Sequence, residues 1–145
     1  LAASEVGIDT FDEAFAKLVD LAAIGPVERH LIHSDLLNFN ALVEGDRISA
    51  IFDWGCMLYG DFLYDPAWFA FWAPWYPAWR GIDFRAETVK HCAAIGLDVP
   101  HFDERFRACA IHIGLSNAAY SAYKGRWEQA GEVCHRALAI AQGTW

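Results

Sequence analysis

The stretch between residues 31 and 54 constrains this chain more than any other, because it sets polar loops between short apolar runs. The apolar runs indicate three short strands, and a polar turn at residues 44–47 joins the last two. Asp35 and Asn40 lie in the loop before the second strand, and Asp53 directly follows the third. Because a hairpin brings the start of one strand beside the end of the next, we expect these three side chains to converge at one end of a small hairpin.

These residue types suit one kind of chemistry. A loop carboxylate such as Asp35 can accept a proton from an attacking hydroxyl, and the oxygens of Asn40 and Asp53 are hard ligands that suit Mg²⁺. Protein kinases carry their base and asparagine in a loop written H-R-D-x-x-x-x-N, with a metal-binding aspartate on the next hairpin. Residues 33–40 have that spacing. The sequence therefore predicts Asp35 as a catalytic base, with Asn40 and Asp53 binding Mg²⁺ and the nucleotide phosphates.

Motifs within this loop and after it extend the pattern. They are His33–Asp35, Ile51–Trp54, Gly60-Asp61 and Tyr64–Ala67. In this order they resemble the aminoglycoside phosphotransferase family of kinase-like enzymes. The resemblance covers nearly the whole chain, but only the carboxyl-terminal lobe of such an enzyme. It implies an α+β, mainly α-helical fold, the C-terminal lobe of a protein-kinase-like fold, in which a small β-hairpin carries the catalytic loop.

The same resemblance implies an activity and roles for further residues. The activity would be transfer of the γ-phosphoryl group of ATP or GTP to a hydroxyl of a small molecule, a cationic aminosugar of the aminoglycoside type, as in antibiotic resistance. His33 would prop the catalytic loop, and Asp61 and Asp65 would brace the loop that follows Asp53. Substrate contact is the alternative for Asp61. Choline, homoserine and methylthioribose kinase-like enzymes share the catalytic segment and are alternatives within this class.

Some parts of a complete kinase are absent from the sequence. It contains no G-x-G-x-x-G stretch, and its three lysines, Lys17, Lys90 and Lys124, do not lie in a V-A-I-K-like strand. The sequence also begins at Leu1 without a methionine. We therefore expect residues 1–145 to be a single domain, the missing N-terminal nucleotide-binding lobe to lie upstream, and the fragment alone to be inactive.

Charge and composition limit the kinds of partner and compartment that we expect for this chain. The net charge of -8 argues against nucleic acid, whose phosphates require a basic surface. It is compatible with a cationic substrate, although many soluble proteins are equally acidic. No apolar run reaches the roughly 18 residues of a membrane span, and no signal peptide is visible. The four cysteines occur singly, as expected for reduced thiols in a cytoplasmic protein.

Helical periodicity and capping residues predict five helices. They begin near Thr10, Asp65, Asp83, Asp103 and Trp127. A T-x-x-E capping box starts the first helix, and Gly25-Pro26 ends it. Asp65 is predicted to cap the second, with Pro66 at its first position, and residues 54–64 before it are predicted to form a loop.

Three alternatives concern the polar and aromatic residues. One is a hydrolytic zinc or iron site with the ligands His30, His33, Asp35 and Asp53, although the helix-borne H-E-x-x-H pattern is missing. Another is that the aromatic run from Trp68 to Trp79 stacks on a sugar or base instead of packing under a loop. The third is a non-catalytic binding or structural domain that retains the kinase-like lobe.

Overall fold

The computed structural model describes residues 7–145, apart from the side chain of Asn38, and shows a mainly helical chain with two small sheets. This is the α+β fold class that the sequence predicts. No helix in these residues is long and apolar enough to cross a bilayer. The helices are α1 (Gly7–Ala22), α2 (Tyr64–Trp72), α3 (Phe84–Ala94), α4 (Phe102–Tyr123) and α5 (Trp127–Ala141). The strands are β1 (His30–Ile32), β2 (Ala41–Glu44), β3 (Arg47–Ile51) and β4 (Leu58–Gly60).

The chain divides into two compact units, of which one joins the described residues up to Gly25 with Pro100–Trp145. In this unit α1, α4 and α5 pack on one another, and each helix contributes buried apolar side chains. Gly125, with φ 71°, ends α4 and allows the turn into α5. The predicted helix starts near Asp103 and at Trp127 are confirmed to within one residue.

The start of α1 differs from the prediction. Its helical residues begin by Gly7, so Thr10 lies inside the helix and cannot be an N-cap, which requires a non-helical backbone. Asp9 in the first turn is the acid that the helix dipole favours there. The capping-box prediction is therefore wrong. A threonine and a glutamate three residues apart also occur on one face of a helix interior, so the T-x-x-E pattern alone does not mark a helix start. The helix ends at Ala22, before Gly25 adopts a φ of 135°.

The other unit, Pro26–Val99, contains both sheets. In the hairpin of β2 and β3, Ala41 pairs with Ile51, and the turn contains Gly45 with φ 64°. Tight hairpin turns favour glycine because they require positive φ. The predicted order of strand, turn and strand is confirmed.

A second sheet pairs β1 with β4, so that His30 lies opposite Gly60 and Ile32 opposite Leu58. The strands approach closely at Gly60, where a Cβ atom would lie 3.3 Å from Ile32 Cδ1. The prediction of a loop throughout residues 54–64 is therefore wrong at β4. A strand of three residues shows no alternation, and its partner is distant in sequence, so the sequence carries no local signal for the pairing.

Asp83 begins α3 as its N-cap. Its Oδ1 accepts a hydrogen bond from the backbone N–H of Ala86 at 2.9 Å, which satisfies one of the free N–H groups at the helix start. The helix ends at Ala94, and Gly96 follows with φ 68°. The predicted cap and helix are confirmed.

Replacing Asp83 with alanine should lower the free energy of unfolding by about 1 kcal/mol, because the Ala86 N–H loses its acceptor. Urea denaturation followed by circular dichroism measures this change. Lys90→Ala is the control, since Lys90 forms an exposed surface pair with Glu87, and its removal should cost about 0.5 kcal/mol or less. Equal losses for the two variants would contradict the capping role.

Candidate functional site

Asp35, Asn40 and Asp53 all lie near one end of the β2–β3 hairpin. Asn40 directly precedes β2, and Asp53 follows the end of β3 by two residues. The backbone N–H of Phe52 donates a hydrogen bond to the carbonyl of Asn40 at 3.1 Å. This bond extends the hairpin ladder to its end and sets Asn40 beside the residue that precedes Asp53.

The side chain of Asn40 connects the hairpin to the preceding loop. Its Nδ2 donates a hydrogen bond to the backbone carbonyl of Asp35 at 2.8 Å. Its backbone N–H donates to the carbonyl of Leu37 at 3.0 Å and closes a short 3-10 turn. With Nδ2 bonded to the loop, Oδ1 is the side-chain atom of Asn40 that can bind a cation.

Asp53 has a left-handed backbone conformation, with φ 62° and ψ 54°. Residues that have a Cβ atom rarely adopt this backbone conformation, although aspartate tolerates it better than most. Contacts on both sides hold it in place. The indole N–H of Trp54 donates to the carbonyl of Ile51 at 3.1 Å, and the N–H of Met57 donates to the carbonyl of Trp54 at 3.1 Å. Strained residues that their surroundings fix in this way often occur at functional sites.

The pKa of the Asp35 carboxyl is raised above its ordinary value of 3.8. Partial burial is the main cause, because desolvation disfavours the charged form. The nearby charge of Asp53 raises this pKa further, while His33 and the hydrogen bond with Asn40 lower it. The effect of Asp53 indicates that the two carboxylates are close enough to repel each other, and a bound cation would relieve that repulsion.

His33 is buried, with 1% of its surface exposed, and both of its ring nitrogens bond to backbone groups. Its Nε2 donates to the carbonyl of Phe52 at 2.8 Å, and its Nδ1 accepts from the N–H of Asp35 at 3.3 Å. The ring also lies 4.8 Å from the ring of Trp54, between centroids. His33 therefore links the loop that carries Asp35 to the strand end that carries Asp53, which is the geometry that a supporting role requires.

The carboxylate of Asp65 holds the same loop from the other side. Its Oδ2 accepts a hydrogen bond from the N–H of His33 at 2.9 Å, and its Oδ1 accepts one from the N–H of Ser34 at 2.8 Å. The helix α2 begins at Tyr64 with Leu63 as N-cap, so the prediction that Asp65 caps it is wrong. Both carboxylate oxygens of Asp65 instead accept hydrogen bonds from the loop that precedes Asp35, and they brace the backbone of that loop.

Asp61 lies in the turn before α2. Its Oδ1 accepts a hydrogen bond from the N–H of Leu63 at 3.0 Å, and its carbonyl accepts one from the N–H of Tyr64 at 3.0 Å. These bonds shape the start of α2. Its predicted contact with substrate stays a prediction.

Ser34 is a site residue that the sequence analysis missed. It is buried at 7% exposure and has a positive φ of 59°. Its hydroxyl donates a hydrogen bond to the carbonyl of Cys56. Only its place between His33 and Asp35 could have drawn attention to it, because its partner is distant in sequence.

The side chains near the hairpin end fit a hard cation better than zinc. In the part of the chain that the structure describes, no three histidine, cysteine or acidic side chains are grouped in a way that could hold a metal. Two carboxylates and an amide oxygen form an all-oxygen set, which suits Mg²⁺. Asn40 and Asp53 are the residues that could hold it.

The aromatic run after the site is largely packed. Trp68 and Phe71 are buried, and Tyr76 stacks on Trp79 with ring centroids 4.2 Å apart. Trp75 is more open, at 38% exposure. These residues therefore pack largely on one another, and Trp75 retains an exposed face.

Comparisons with known proteins identify relatives of this chain. Residues 3–98 match the profile of the phosphotransferase enzyme family (APH). Hygromycin-B 4-O-kinase from Escherichia coli is 30% identical over 130 residues, which are 90% of this chain and 36% of that protein. A thermostable mutant of aminoglycoside phosphotransferase APH(4)-Ia, in ternary complex with AMP-PNP and hygromycin B, superimposes with a TM-score of 0.75 at 27% identity, covering 92% of this chain and 43% of that one. Another crystal structure of APH(4)-Ia gives a TM-score of 0.74 at 28% identity, covering 94% and 44%.

The fold and the matches define the C-terminal part of a kinase-like phosphotransferase structure. The chain belongs to the phosphotransferase enzyme family, whose profile matches more than half of its length. It spans about a third of the curated relative and less than half of the solved structures. The family resemblance drawn from the loop motifs is confirmed.

Replacing Asp35 with asparagine should raise the thermal stability near neutral pH in buffer without divalent cations. A raised pKa means that the folded state binds the proton more tightly than the unfolded state. The charged carboxylate therefore costs stability as the pH rises above 3.8 and through the folded-state pKa. Asparagine removes this cost. Melting temperatures at about pH 7 and about pH 3 measure the effect, which should vanish in acid where the carboxyl is protonated in both states.

Asp46→Asn, in the exposed hairpin turn, is the matched control and should give no comparable gain. A melting temperature for Asp35→Asn at or below that of the parent at neutral pH would contradict the raised pKa.

Proposed function

We propose that this chain is the catalytic and substrate-binding lobe of an enzyme that transfers the γ-phosphoryl group of ATP or GTP to a hydroxyl of an aminoglycoside-like molecule. The observation that carries the proposal is the placement of Asp35, Asn40 and Asp53 around one hairpin end, together with the family membership. These three side chains supply a base and two oxygen ligands.

Asp35 would orient the acceptor hydroxyl and take its proton. A general base works best when its pKa approaches the operating pH, and the pKa of Asp35 is shifted upward, in that direction. Its backbone is fixed by the contacts of its N–H with His33 and of its carbonyl with Asn40. This fixed position favours transfer because phosphoryl transfer depends mainly on positioning.

Asn40 and Asp53 would hold Mg²⁺ on the nucleotide. The bound ion would neutralise charge on the phosphate oxygens. The all-oxygen ligand set fits this ion, and the repulsion between the Asp35 and Asp53 carboxylates favours a cation between the loop and the hairpin end.

The substrate class is supported by relatives. One relative is named hygromycin-B 4-O-kinase, and one solved structure holds AMP-PNP and hygromycin B. The net charge of -8 is compatible with a cationic molecule such as an aminosugar. Asp61, near the start of α2, is a candidate to contact it.

We also propose that a separate N-terminal lobe supplies the rest of the nucleotide site. The exposure of the hairpin supports this proposal. All of β3 and most of β2 are exposed, including the apolar side chains of Val43 at 67% and Ile48 at 66%. A two-stranded hairpin with both faces exposed is marginally stable in water. The chain also covers only 36% of its curated relative. The fragment alone would then be inactive.

The test uses the extended protein, defined as this chain with the coding sequence upstream of Leu1. Asp35→Ala and Asp53→Ala should each reduce phosphoryl transfer to an aminoglycoside by about a thousandfold, because one removes the base and the other a metal ligand. Circular dichroism should show that both variants are folded. Asp46→Ala, an exposed acid at the opposite end of the hairpin, should keep the parent activity.

Activity within about tenfold of the parent for either variant would contradict these roles, since that loss is smaller than the removal of a catalytic group causes. Calorimetry with Mg–AMP-PNP separates catalysis from a structural role. The extended protein should bind the nucleotide and this chain alone should not. An extended protein that neither binds nor transfers would favour the non-catalytic domain.

A further inference from the structure

Ser34 adopts a backbone conformation that its side chain disfavours. Its φ of 59° lies in the left-handed region, where the Cβ atom crowds the backbone. Glycine would adopt this conformation without that crowding. The residue is also buried, at 7% exposure. A contact of the hydroxyl can help to hold a serine in this conformation.

That contact is the hydrogen bond from the Ser34 hydroxyl to the carbonyl of Cys56. Cys56 is the last residue of the 3-10 turn that begins directly after Asp53. On the other side of Asp53, the carbonyl of Phe52 accepts the hydrogen bond from His33 Nε2. Two consecutive loop residues therefore hold the chain before and after Asp53.

The backbone of these two loop residues is itself fixed. The N–H groups of His33 and Ser34 both donate to the carboxylate of Asp65. Movement of the turn after Asp53 is therefore opposed by a bond to an anchored residue. The next residue in the loop is Asp35, so the same anchor sets the separation of the two carboxylates.

We propose that Ser34 is a positioning residue, whose hydroxyl fixes the turn after Asp53 and so aligns Asp53 with Asp35 for metal–nucleotide binding. This inference rests on the proposed function. It assigns the hydroxyl a task that glycine or alanine cannot perform, although either residue fits the space.

Two substitutions separate the hydroxyl from the backbone strain. Ser34→Ala removes the hydroxyl and keeps the strain, whereas Ser34→Gly removes both. In the extended protein, both variants should lower kcat by about tenfold or more and leave the KM for the aminoglycoside within about twofold, because the metal ligand shifts and the substrate contacts do not. Ser49→Ala is the matched control, since the Ser49 hydroxyl bonds to the carbonyl of Leu42 on the exposed hairpin.

Two readouts do not depend on turnover. Calorimetry should show that the advantage of Mg–AMP-PNP over metal-free AMP-PNP shrinks by about tenfold in both Ser34 variants. Hydrogen exchange should show faster exchange at the amide of Met57, which closes the turn by donating to Trp54. The glycine variant should be at least as heat-stable as the alanine variant, because it relieves the strain.

The outcomes distinguish this inference from the proposed function. If the parent is active and both variants keep its kcat, metal preference and Met57 protection, the positioning role is overturned. If only Ser34→Ala loses activity while Ser34→Gly does not, strain and not the hydroxyl is responsible, which also overturns it. If the extended parent neither binds nor transfers, the proposed function fails, and the exchange at Met57 alone decides whether Ser34 holds the turn.

Discussion

The carboxylate of Asp65 accepts hydrogen bonds from the backbone N–H groups of His33 and Ser34, and the rest of the site depends on this contact. Backbone donors buried in a loop need acceptors, because an unpaired N–H away from water is costly. Once these two residues are fixed, the imidazole of His33 reaches the carbonyl of Phe52 and the hydroxyl of Ser34 reaches the carbonyl of Cys56. Asp65, in the first turn of α2, thereby holds the loop and the hairpin end together, although it lies about 30 residues after the loop in sequence.

This arrangement keeps two carboxylates in a position that is unfavourable without a cation. Burial and the charge of Asp53 both raise the pKa of Asp35, and Asp53 has a left-handed backbone. Costs of this kind are expected where a site is prepared for a ligand that relieves them. The folded chain therefore gives up some stability for the geometry that the proposed phosphoryl transfer would require.

The sequence predicts the parts of this structure that depend on local patterns. The long helices α4 and α5, the cap at Asp83 and the hairpin follow from periodicity and turn residues. Contacts between distant residues were missed: the strand β4, the hydroxyl of Ser34 and the true partners of Asp65. A carboxylate before a proline resembles a helix cap in sequence, and only the folded chain shows that the backbone N–H groups of a distant loop bind it.

The most direct measurement is a crystal structure of the extended protein with AMP-PNP and Mn²⁺ in place of Mg²⁺, with the metal located by its anomalous scattering. If the proposed metal site is right, a manganese ion will lie about 2.1 Å from a carboxylate oxygen of Asp53 and from Oδ1 of Asn40. The carboxylate of Asp35 should face the position of the acceptor hydroxyl. A metal bound away from these residues, or carboxyl groups of Asp35 and Asp53 that point to opposite sides of the lobe, would contradict it.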